Sequence, residues 1–95
     1  MYKLSNKAAE DFETIYEYTY RNFGEYKADV YTDDMEKCLL LLSSSPQIGR
    51  TVDNIKKGVY RHNHEYHAIF YFIENDYVFI LRILHQQMNP MLYLY

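Results

Sequence analysis

A chain of 95 residues, 48% hydrophobic and 24% charged, has room for one modest core, which excludes both a disordered segment and a multi-domain design. Ten basic against thirteen acidic side chains lower the expectation of a phosphate-binding surface, and a single cysteine, Cys38, excludes an intrachain disulfide and a cysteine-rich zinc site. No apolar run approaches membrane-spanning length and no signal peptide is recognisable, so the expected address is cytoplasmic, with no membrane partner.

In chain order, Tyr2-Lys3-Leu4 alternates and predicts a short first strand. Ser5 or Asn6 then offers an N-cap oxygen, with Glu10 and Asp11 near the positive helix end. Ala8, Phe12, Ile15, Tyr16, Thr19 and Phe23 recur at helical spacing, and Gly24 supplies the stop. A second helix is expected from about Glu25, where Ala28, Tyr31, Met35, Cys38 and Leu42 form a stripe widened by Leu39 and Leu41. Ser43-Ser44-Ser45-Pro46 ends it, because a residue before proline is pushed out of helical geometry. A polar connection over 47–58 leads to three strands, at about 59–63, 66–74 and 77–84. Asn75-Asp76 suits a two-residue hairpin turn, both residues tolerating positive φ. The pattern is α+β, ordered β-α-α-β-β-β, in a single domain over 1–95.

Centring the hairpin on that turn pairs Phe72 with Phe79, Phe70 with Leu81 and Ala68 with Ile83 on one face. The other face pairs Ile73 with Val78, Tyr71 with Ile80, Ile69 with Arg82 and His67 with Leu84. Both faces come out apolar, whereas a sheet with one wet face alternates apolar and polar. The helical hairpin can cover one face only. A partner segment, a second copy, or the apolar tail from Met88 to Tyr95 is expected on the other. Twelve tyrosines fit this picture, since a ring with a polar tip suits half-buried surfaces and interfaces.

The opening Leu4-Ser5 with Ala8, Asp11 and Ile15, and Leu42 followed by Pro46-Gln47-Ile48-Gly49-Arg50, resemble the RelE/ParE toxin superfamily in its ParE-like branch. So does the stretch from Gly58-Val59-Tyr60 through His67-Ala68-Ile69-Phe70-Tyr71 to Ile80-Leu81-Arg82-Ile83-Leu84-His85. The resemblance covers essentially the whole chain and implies a RelE-like fold with no cofactor. It implies a toxin held in a hetero-oligomer by a cognate antitoxin. ParE-type members act on DNA gyrase by protein–protein contact, without binding DNA directly themselves. RelE-type members cleave messenger RNA on the ribosome.

The residues separate these branches. RelE-type enzymes resemble this sheet but place arginines about where Ala68 and Gln86 stand here, and metal-free RNA cleavage needs cations for the developing phosphorane charge. The catalytic alternative therefore rests on His85 as acid or base, with Arg82 and Arg61 as phosphate clamps. The blander assignment pairs Arg82 with an acidic side chain and leaves His85 at a strand end. His62 and His64 share a strand face, but no carboxylate or cysteine completes a metal set, and no metal is expected. With no catalytic residue expected, partner binding falls to Phe70, Phe72, Phe79 and Leu81 on the uncovered face and to Met91, Leu92, Tyr93 and Tyr95 in the tail. A degenerate member that only binds antitoxin is a third alternative.

Overall fold

The computed structural model describes residues 1–94. Its elements run β1 (Tyr2–Leu4), α1 (Asn6–Phe23), α2 (Glu25–Ser44), a 3-10 turn at Pro46–Ile48, β2 (Arg50–Thr51), β3 (Tyr60–His64), β4 (His67–Ile73), β5 (Val78–His85) and a second 3-10 turn at Pro90–Leu92. The strands form one five-stranded sheet in the order β1-β5-β4-β3-β2, antiparallel except where β1 lies parallel to β5. The α+β layout agrees with the sequence pattern. The two-residue β2 lies inside the stretch expected to be connection only.

Ser5 starts α1 in extended geometry: its hydroxyl accepts the Ala8 N–H at 2.9 Å and donates to the Leu81 carbonyl at 2.7 Å. One serine thus caps the helix and ties its start to the sheet. Glu10 and Asp11 lie past the first turn, so they do not act on the helix end; Asp11 is used elsewhere. Gly24, at φ +93°, serves both helices, its N–H closing α1 on the Tyr20 carbonyl and its carbonyl receiving the Ala28 N–H of α2. On α2 the buried stripe is Ala28, Met35, Cys38, Leu39 and Leu42, while Leu41 points outward.

The β4–β5 hairpin turns at Asn75-Asp76 as expected, with Glu74 N–H bonded to the Tyr77 carbonyl, though neither turn residue has positive φ. Phe72 faces Phe79, Ile73 faces Val78 and Tyr71 faces Ile80, as the alternation predicts. Beyond Tyr71 a β-bulge shifts the register by one residue. Phe70 pairs with Arg82, Ile69 with Ile83, Ala68 with Leu84 and His67 with His85, which corrects the four pairings expected there.

The bulge sorts the apolar side chains into two cores. The inner one packs Ala8, Ile15, Met35, Cys38, Leu39 and Leu42 of the helices against Ile69, Tyr71, Val78, Ile80 and Ile83. On the outer face, Ala68, Phe70 and Leu84 are sealed by Val52 and Val59 of the β2–β3 connection and by Leu94 of the tail, with Ile55 and Met88 packed alongside. Of the occupants expected on the outer face, the one found is the chain's own tail, joined by the β2–β3 connection. Together they close the middle of that face.

Candidate functional site

Arg82 stands at the bulge, where β5 has run past the end of β1. Its Nε and NH2 donate to the two oxygens of Asp11, both at 2.8 Å, and its NH1 donates to the Tyr93 carbonyl at 3.1 Å. Both charged side chains are largely buried, at 14% and 15% exposure. The same carboxylate accepts the Ile83 N–H at 3.0 Å, satisfying a backbone donor that β1 does not reach. The Asp11 hydrogen bond holds the guanidinium above its ordinary value. Tyr93 lies with its ring centroid 5.6 Å from the guanidinium carbon. The arrangement is a bidentate ion pair joining a helix, a strand bulge and the tail. Asp11 stands three residues after Ala8 and four before Ile15, on the inward stripe of α1. A carboxylate on an apolar stripe is the signal that could have named it as the partner.

His85 ends β5, its Nδ1 accepting the Gln87 N–H at 3.1 Å, and its ring meets His67 edge-on at 5.6 Å. His67 is bonded in turn to the Tyr31 hydroxyl of α2 at 2.6 Å, and His64 faces it across β3–β4. Burial first, then the neighbouring His85 and His64, push His67 down to about 4, while burial lifts Tyr31 to about 12. The Nε2 of His64 is buried without a hydrogen-bond partner, and His62 is lowered by burial and by His64. These rings line the helix-facing side of the sheet end. Among the described residues no group of three or more histidine, cysteine or acidic side chains is placed to hold a metal ion.

Arg61 lies on the opposite face, stacked over Phe70 at 5.4 Å and bonded through Nε to Asn63. The three residues of the catalytic alternative are thus dispersed. Arg82 is locked to Asp11, and His85 and Arg61 lie on opposite sides of the sheet.

The expected partner-binding residues divide by exposure. Phe70 is 1% exposed, a core residue lying beneath the loop and tail in the chain by itself. Phe72 and Leu81 are half-buried against that cluster, and Phe79, also half-buried, faces Phe72 across the hairpin. Leu92 at 73%, Met91 at 50% and Tyr93 at 36% form an exposed apolar ridge on the second 3-10 turn, whose start is capped by the Asn89 side chain accepting the Met91 N–H. Tyr95 lies outside the described residues. Arg50, opposite Arg61 in the sheet, was not singled out from the sequence.

A family model described as the ParE toxin of the type II toxin–antitoxin system parDE matches residues 2–90. The chain is 30% identical over 88 residues to Toxin ParE1 of Caulobacter vibrioides, covering 93% of this chain and 91% of that one. It is 29% identical over 89 residues, with the same coverage, to Toxin ParE1 of Mycobacterium tuberculosis. In fold it is similar to a chain in the solved structure of the chromosomal ParDE TA system from P. aeruginosa, with a TM-score of 0.77 over 88% of this chain and 92% of that chain at 23% identity. The match over nearly the whole length and the shared fold lead to one conclusion: the chain belongs to the ParE toxin family of type II toxin–antitoxin systems.

Proposed function

We propose that this toxin acts in the cytoplasm by protein–protein contact with DNA gyrase, and that a cognate antitoxin neutralises it by forming a hetero-oligomer with it. The observation that supports contact over catalysis is the state of Arg82. A guanidinium already bonded to both oxygens of Asp11 and to the Tyr93 carbonyl has little left for a phosphorane, and releasing it would strand a largely buried carboxylate. The exposed ridge of Met91, Leu92 and Tyr93 suits a surface that grips a protein.

Purified chain added to gyrase and relaxed plasmid should block or poison supercoiling, and His85→Ala should leave that effect largely intact. Unchanged supercoiling, together with cuts in translated messenger RNA by primer extension that disappear in His85→Ala, would overturn the proposal in favour of the RelE-like chemistry. Expressing the chain alone should arrest growth, and co-expressing the antitoxin encoded beside it should restore growth. Expression without harm would leave a degenerate member that only binds antitoxin.

A further inference from the structure

The ion pairs and hydrogen bonds of the sheet leave one placement unexplained. Arg50 of β2 and Arg61 of β3 are directly opposed, and among the described residues no carboxylate lies within ion-pair distance of either. Like charges directly opposite on neighbouring strands destabilise a sheet. The fold nevertheless goes to some length to place them so. The Tyr71 hydroxyl donates to the Pro46 carbonyl at 2.7 Å and accepts the Gly49 N–H at 3.1 Å, fixing the chain immediately before Arg50. Gly49 has no alternative, because a Cβ there would collide with that hydroxyl. Arg61 lies over the Phe70 ring and is braced by its Nε–H bond to Asn63. Two cations are thus positioned by a tyrosine pin on one side and an aromatic bed on the other, with no anion paired to them among the described residues. Arg61 is lowered by burial and by Arg50, the direction expected of crowded cations without a counter-charge.

We propose that Arg50 and Arg61 form a carboxylate seat at the open end of the sheet, occupied by an acidic segment of the antitoxin. This rests on the reading that the chain has an antitoxin, and names the surface at which one part of it docks. Charge favours that occupant. Between Asn6 and Ser44 nine acidic side chains stand against four basic ones, whereas the rest of the chain carries six basic and four acidic. An acidic segment is repelled by the helical layer and drawn to the sheet end. β2 is the terminal strand, so among the described residues no further strand lies on the far side of Arg50. Two adjacent guanidiniums match the carboxylates of an acidic peptide, whereas a nucleic-acid backbone rewards a longer run of cations than this.

The test uses the full chain and the antitoxin that restores growth in the co-expression experiment, with affinity measured at low and high salt. Arg50→Glu with Arg61→Glu should bind about 100-fold more weakly. Arg50→Gln with Arg61→Gln should bind with an intermediate loss and a reduced salt dependence. The glutamine pair should also melt at or above the wild-type temperature in isolation, because cross-strand repulsion has gone. That gain separates a lost seat from a damaged fold. Unchanged affinity in a folded glutamine pair would overturn the seat and leave the antitoxin reading standing. If the wild-type chain binds no antitoxin at all, both fall together. Should the wild type retain short single-stranded RNA that the glutamine pair releases, with antitoxin affinity untouched, the arginines serve phosphate and the proposal is wrong.

Discussion

The two faces of the sheet are closed by different means. The inner face lies under two long helices whose backbone bonds are internal and whose apolar stripes interlock with β4 and β5. The outer face lies under an irregular connection and a tail. The tail is fixed by buried Leu94, by a Lys56 to Leu94 carbonyl hydrogen bond at 3.3 Å and by the Arg82 contact with Tyr93. Side chains beneath the two covers are equally dry: Tyr71 at 0% and Phe70 at 1%. Equal burial does not make equal permanence. Helical cover is lost only with the global fold, whereas a tail can lift by local opening. A partner can therefore reach the outer face by displacing a few contacts, without unfolding the toxin.

The largest expected effect tests the inner cover. Leu39→Ala removes a fully buried side chain between helix and sheet and should lower stability by about 3 kcal/mol in urea unfolding. Leu94→Ala should lower it by only about 1 kcal/mol, because the tail relaxes into the space, while amide exchange speeds up at Ala68 and Leu84 more than along α2. An equal loss in the two variants would erase the distinction between the covers.

The smallest effect lies at the histidine end of the inner face. His67 is pushed down to about 4 by burial and by His85 and His64, against an ordinary value of 6.5, with Asp11 opposing the shift. The unfolded chain takes up a proton near 6.5 and the folded chain only near 4. Stability present above pH 6.5 is therefore lost as pH falls through that window, by about 1 kcal/mol once solvent screening of this half-buried ring is allowed for. Thermal melts across the window should slope less in His67→Gln than in the wild type; parallel slopes would remove His67 as the cause.

Much of the inner face was legible in the residues. Helical spacing, Gly24 and Pro46 mark both helices, and alternation around Asn75-Asp76 sets the register as far as Tyr71 and Ile80. It fails there because an extra residue in one strand leaves little mark when the residues flanking Arg82 are apolar: Phe70, Leu81 and Ile83 read equally well in either register. Arg82 announced that it needs an acid, but choosing Asp11, 71 positions away, depends on how α1 lies across the bulge. The outer cover was foreseen only as one of several occupants, since an apolar tail fits its own sheet and a partner's equally well. Arg50 escaped because two residues are too few to show a strand period.

Tyr71 serves both sides of the molecule at once. Its ring fills the inner core and stacks on Tyr60, while its oxygen fixes the backbone from Pro46 to Gly49, from which Arg50 departs. A loosened interior would therefore be transmitted outward as a misplaced cation. Tyr71→Phe preserves nearly all the volume yet unbolts the hinge, so affinity for an anionic visitor should respond to an edit that alters no surface atom.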